Sequence, residues 1–185
     1  MVKVFLIAAV LLASARSFAQ QMIRKQIGFE ISYAVYPQSP AKQNYALNLG
    51  LVSYAKNGNY FFTLAEYSIK NVESEKYAIP VEIFLLNPGY SLYLWGDLMR
   101  NVNINFGVGG LAGYEMVNNN SEALDDGSRL YATDQLIYGA NAKLSIESYL
   151  SGHWVFLVSG QLRFFQNSQL PQFQSLLSFG IRYNF

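Results

Sequence analysis

The chain has 185 residues, 51% hydrophobic and 16% aromatic, with only 14% charged against about 25% in an ordinary soluble domain. Its 13 Lys and Arg offset 12 Asp and Glu without a basic cluster, so the phosphate-neutralising field of a nucleic-acid binder is missing and no direct nucleic-acid binding is expected. With no Cys and one His, disulfides, a thiolate nucleophile and zinc-thiolate chemistry are excluded, and neither a metal nor another cofactor is expected.

Residues 1–19 read as a cleavable signal peptide. Lys3 supplies the positive start, Val4 to Ala13 the apolar stretch, and Ser17-Phe18-Ala19 the small-x-small cleavage site before Gln20. The apolar stretch is too short to span a bilayer, and no later segment approaches the roughly eighteen apolar residues of a membrane helix. Removal of Lys3 and Arg16 leaves 11 basic against 12 acidic residues in the single domain expected over 20–185.

From there the chain has period two, the signature of strands with two different faces. Ile27, Phe29, Ile31, Tyr33 and Val35 alternate with small or polar residues, and Tyr45, Leu47, Leu49 and Leu51 do the same. A third strand is expected from Tyr60 to Ile69. A fourth is expected from Ile79 to Leu94, bulged or broken at Pro80 and Pro88. In the fifth, Val102, Ile104, Phe106, Val108, Ala112 and Tyr114 oppose Asn103, Asn105, Gly107, Gly109, Gly113 and Glu115. The sixth sets Tyr138, Ala140, Ala142, Leu144 and Ile146 against Asn141, Lys143, Ser145 and Glu147. The seventh sets Trp154, Phe156, Val158, Leu162 and Phe164 against Ser159, Gln161 and Arg163, and the last sets Leu177, Phe179, Ile181, Tyr183 and Phe185 against Ser178, Gly180, Arg182 and Asn184. That makes eight strands.

The links divide by length. Lys56–Asn59, Trp95–Asn101 and Leu150–His153 are short, and Lys56-Asn57-Gly58-Asn59 suits a tight turn because Asn and Gly tolerate positive φ. Pro37–Gln43, Lys70–Ala78, Val117–Thr133 and Gln166–Gln172 are longer on average, so turns gather at one end and loops at the other, as in an outer-membrane barrel. A soluble barrel would dress its polar face with Lys and Glu. Here that face is mostly Gly, Asn, Ser and Ala, which suits a crowded lumen.

Aromatic residues gather at the strand ends. Tyr54, Tyr60, Tyr90, Tyr93, Trp95, Tyr149, Trp154, Tyr183 and Phe185 are expected at the turn-side rim, with Tyr33, Tyr36, Tyr45, Tyr67, Tyr114, Tyr131, Tyr138, Phe164 and Phe173 as the opposite girdle. The fold expected is thus all-β: an eight-stranded antiparallel outer-membrane β-barrel surrounded by outer-membrane lipid. A lumenal polar network is expected from Glu30, Asn48, Glu66, Glu115, Lys143, Glu147, Gln161, Arg163 and Arg182, with Glu82 among its carboxylates. Antiparallel pairing of the first and last strands, counted from Ile27 and Phe185, places Glu30 opposite Arg182.

The ending Ser178 to Phe185 resembles the terminal strand of outer-membrane proteins. The resemblance implies that Phe179, Ile181, Tyr183 and Phe185 are read by the barrel-assembly machinery. The stretch from Phe29 to Lys70 resembles the TraO family of conjugative-transposon proteins from Bacteroidetes, through Tyr36-Pro37, Ser39-Pro40, Lys42-Gln43-Asn44-Tyr45, Leu47-Asn48-Leu49-Gly50 and Lys56-Asn57-Gly58-Asn59-Tyr60. The likeness continues through Ile79-Pro80, Gly107 to Glu115 and Ile137-Tyr138-Gly139-Ala140. It implies a part in conjugal DNA transfer, with other conjugation proteins as partners, and carries no catalytic motif.

Catalysis is not expected. Small outer-membrane barrels that modify lipid A need a His with a nucleophilic or acidic partner at the outer leaflet, and His153 falls in a turn at the other end. Gly107-Val108-Gly109-Gly110 lies within a strand and opens no helix, unlike a phosphate loop. A general small barrel of the adhesion or stress type, or an envelope-lipid enzyme, is the alternative to a conjugation component. In either case recognition falls to the longest link, whose Asn118, Asn119, Asn120, Glu122, Asp125 and Asp126 are candidate partner contacts.

Overall fold

The computed structural model describes residues 25–37, 44–74, 77–97, 101–117 and 134–185. The signal peptide and the candidate contacts from Asn118 to Asp126 lie outside the described residues, as does Tyr131. The strands are β1 (Ile27–Val35), β2 (Tyr45–Tyr54), β3 (Tyr60–Ser74), β4 (Tyr77–Gly96), β5 (Val102–Val117), β6 (Gln135–Tyr149), β7 (Trp154–Gln166) and β8 (Phe173–Asn184). Each pairs antiparallel with its chain neighbours, and β8 returns to β1, closing the barrel. Closure leaves no sheet edge around the wall, so backbone groups are paired without help from water, as a hydrocarbon surrounding requires.

The two faces follow the alternation. Ile31, Leu49, Leu51, Leu86, Val108, Leu144 and Ile181 stand exposed on the outer wall, while Glu30, Asn48, Asn105, Lys143 and Arg182 are buried inside. An apolar exterior around a polar interior reverses the arrangement of a soluble barrel. Tyr33, Tyr45, Tyr67, Phe84, Tyr114, Tyr138, Phe164 and Phe173 face outward toward the end away from the termini, where Tyr33 stacks on Tyr45 at 6.0 Å and Phe164 packs on Phe173 at 5.1 Å. At the terminal end, Trp154 and Phe185 pack on Tyr183 at 4.9 and 5.3 Å.

Lys56–Gly58 makes the tight turn expected, with Asn57 at φ 63° and Gly58 at φ 82°, and Asn59 N donates to Lys56 O at 3.2 Å. Strand four, by contrast, is unbroken. Pro88 projects outward and the β4–β5 ladder passes from Leu86↔Ala112 to Gly89↔Gly109 without a change of register, so the missing N–H costs local pairing only. The irregularity lies instead at Tyr93 to Trp95.

Three sequence expectations are corrected. β3 continues past Ile69 to Ser74 and β4 begins at Tyr77, so most of the expected Lys70–Ala78 loop is hairpin. The β2–β3 ladder stops at Tyr45↔Ile69 and the β4–β5 ladder at Val81↔Val117, so this hairpin extends beyond the paired wall on both sides among the described residues. Tyr36, Tyr54, Tyr60 and Tyr149 are buried in the interior rather than set in the aromatic rims, because Tyr54, Tyr60 and Tyr149 share the parity of the lumenal residues in their strands and Tyr36 continues that of β1 by one residue. Glu82 lies between buried Val81 and Ile83 and is half-buried on the outer face, so it is not a lumenal carboxylate.

Candidate functional site

The barrel encloses two ion-pair layers and an apolar plug. Nearest the terminal end, Arg182 is fully buried at the centre. Its Nε and Nη2 donate to Glu30 Oε2 at 3.1 and 2.9 Å, and Nη1 and Nη2 donate to Glu147 Oε2 and Oε1 at 3.1 and 3.2 Å. Nη1 also donates to Tyr54 Oη at 2.9 Å. Tyr60 and Tyr149 donate their hydroxyls to Glu147 at 2.5 and 3.2 Å, and the Tyr60 ring lies 4.6 Å from the Arg182 guanidinium carbon. One guanidinium thus serves two carboxylates, while Tyr60 and Tyr149 donate to Glu147 and Tyr54 accepts from the guanidinium, which makes so much buried charge tolerable.

Lys143 makes no direct ion pair among the described residues. Its ammonium packs over the Phe62 ring at 4.5 Å, a cation–π contact that partly replaces lost hydration.

The second layer joins Glu66 to Arg163 by a two-point pair, with Nη1 at 2.6 Å from Oε1 and Nη2 on Oε2. Gln161 fixes the guanidinium by accepting from Nε at 3.0 Å and Nη2 at 2.7 Å. Asn48 is the ladder partner of both Ser32 and Glu66 and is buried beside this pair.

Glu115 stands apart from both layers, toward the far end. It accepts from Ser168 Oγ at 2.6 Å, Gln169 N at 2.9 Å and Gln135 Nε2 at 3.3 Å. Around it the lumen is apolar: Val81, Ile83, Leu85, Leu111, Val117, Ile137, Phe165 and Leu170 form one buried cluster.

The nine residues expected in a lumenal network therefore fall into two groups and one outlier. Glu30, Glu147 and Arg182 meet with Lys143 beside them, Glu66, Arg163 and Gln161 meet beside Asn48, and Glu115 binds elsewhere. Sequence reasoning missed Tyr54, Tyr60 and Tyr149 as part of the first group, although strand parity points to it. It also missed Ser168, Gln169 and Leu170, which lie in a link where no periodicity reveals a direction. On β8, Phe179 and Ile181 are exposed on the outer wall and Tyr183 is half-buried there, and Phe185, just past the strand, is exposed.

His153 sits in the β6–β7 turn. Its Nδ1 lies 2.7 Å from Asn184 O and its ring stacks on Tyr183 at 5.4 Å, so it ties that turn to the C-terminal strand. The interior is a filled barrel in which Arg163 ties β7 to Glu66 on the opposite wall and Arg182 ties β8 to β1 and β6.

This architecture recurs among solved structures. The N-terminal β-barrel domain of Pseudomonas aeruginosa OprF superposes with a TM-score of 0.60 at 10% identity, covering 88% of this chain and 98% of that one. Neisserial surface protein A gives 0.55 at 10% identity over 86% and 95%, and the attachment invasion locus protein Ail of Yersinia pestis gives 0.51 at 12% over 86% and 95%. Comparison with curated protein sequences finds no match. The family model described as conjugative transposon protein TraO matches residues 23–185, nearly the whole region after the expected signal peptide, and the chain belongs to that family.

Proposed function

We propose that this protein is a non-enzymatic outer-membrane component of a conjugative DNA-transfer system, acting through the links at its far end on envelope or mating partners. The family match over residues 23–185 carries the reading. An exterior of exposed Leu, Ile, Val and Phe between two aromatic zones supports placement in lipid, and the likeness to outer-membrane barrels agrees with it.

The lumen argues for recruitment or anchoring rather than transport of DNA. It is crossed by Arg182 and Arg163 with their carboxylates and filled toward the far end by the apolar cluster. Eight strands enclose just enough space for side chains, far too little for duplex DNA. With the wall committed to lipid and the interior to packing, recognition is left to the links.

The test is a donor strain deleted for the gene and complemented with variants. Deletion should lower transfer frequency and the wild-type gene should restore it; undiminished transfer from the deletion strain would refute the role. Replacing residues 118–128 with a short Gly/Ser turn should leave the barrel assembled but fail to restore transfer. Full restoration by that variant would move the contact surface to another link.

A further inference from the structure

The β7–β8 link crosses the far mouth of the lumen, and three features hold it there. Phe165 N donates to Gln172 O at 2.8 Å, closing the base of the link. Asn167, at φ 58°, turns the chain and donates its Nδ2 to Leu136 O at 2.7 Å. Leu170, only 3% exposed, then points inward and completes the apolar cluster with Val81, Ile83, Leu111, Ile137 and Phe165.

The remaining hold is unusual in its charge. Glu30, Glu66 and Glu147 each face a guanidinium, whereas Glu115, 0% exposed, has no cationic partner among the described residues. Two of the donors to it, Ser168 Oγ and Gln169 N, come from the link itself. Ser168 Oγ also accepts from Leu170 N at 3.1 Å, joining the anchor to the inserted leucine. A desolvated carboxylate depends on such donors, and lifting the link removes two of them, leaving Gln135 Nε2 and entering water in their place.

We propose that residues 166–172 form a lid over the far mouth, latched by the Glu115 carboxylate, and that its release uncovers the apolar pocket now filled by Leu170. The lid is a device of this fold separate from the conjugation reading, and either stands if the other fails.

The chain has no Cys, so a single introduced thiol reports on the lid without background. Leu170→Cys in the assembled barrel should react slowly with a water-soluble maleimide, compared with Gln172→Cys on the exposed part of the same link. Adding Glu115→Gln to Leu170→Cys should accelerate labelling by about tenfold or more, the expected effect of losing charge-assisted hydrogen bonds. Adding Ser168→Ala instead, which removes one donor and no charge, should give a smaller acceleration. Heat-dependent gel mobility identifies the folded fraction in each case. Labelling of Leu170→Cys as fast as Gln172→Cys with Glu115 intact overturns the proposal, as does an unchanged rate in folded Glu115→Gln. If Glu115→Gln does not assemble, an unchanged rate with Ser168→Ala overturns it.

Discussion

Glu30 and Arg182, 152 residues apart in sequence, are ladder partners across the β1–β8 closure and are joined at 2.9 Å inside the barrel. The contact therefore reports both closure of the wall and filling of the lumen. Replacing Arg182 by Met strands Glu30 and Glu147 without their common cation, and should cost about 3–5 kcal/mol. Glu30→Gln should cost less, since Glu147 still holds the guanidinium. Equilibrium unfolding in lipid vesicles, followed by fluorescence of Trp95 and Trp154, measures both; equal losses would show that the two carboxylates do not share Arg182 as described.

Glu66 and Arg163 should behave as a coupled unit because their two-point geometry leaves little of either group for water. Glu66→Gln and Arg163→Met should each destabilise the barrel, and a double-mutant cycle should give a coupling of about 0.5–3 kcal/mol. Strict additivity would mean that the pair contributes no mutual stabilisation.

The outer wall makes a prediction of opposite polarity. Ile31, exposed at the middle of β1, should face the hydrocarbon midplane, where Ile31→Arg costs about 2–4 kcal/mol. The same change on a wall facing water would be nearly neutral. A neutral result in vesicles would remove β1 from the lipid-facing surface.

His153 has a structural contact and no proposed chemistry. His153→Ala should lose the hydrogen bond to Asn184 O and the stack on Tyr183, lowering stability by about 1 kcal/mol. Conjugal transfer should stay at the wild-type level wherever the barrel assembles, and a large drop in transfer with normal assembly would point to a functional role for the turn.

Much of the interior was legible from parity. In β1 and β8 the alternation is clean, so counting from Ile27 and Phe185 suffices to place Glu30 against Arg182. The same rule assigns Tyr54, Tyr60 and Tyr149 to the lumen, but their position at strand ends suggests a lipid-interface role that parity overrules. β4 resists the rule because Ile79 to Leu94 is apolar on both faces: Val81, Ile83 and Leu85 point inward while Phe84, Leu86 and Leu92 point outward. Composition alone gives no reason to send the first three into a lumen.

The sequence by itself determined the number of strands, the outward face of most of them and the family, because period two and short recurring motifs are local properties. Tertiary structure decided which inward residues meet. That depends on how eight tilted strands are staggered around a closed ring, and the stagger brings Glu147 of β6 to Arg182 of β8 and Glu66 of β3 to Arg163 of β7. It also decided that Leu170 turns into the far mouth: Glu115 and the apolar cluster are assembled from distant strands, and only their convergence gives the link a place to bind.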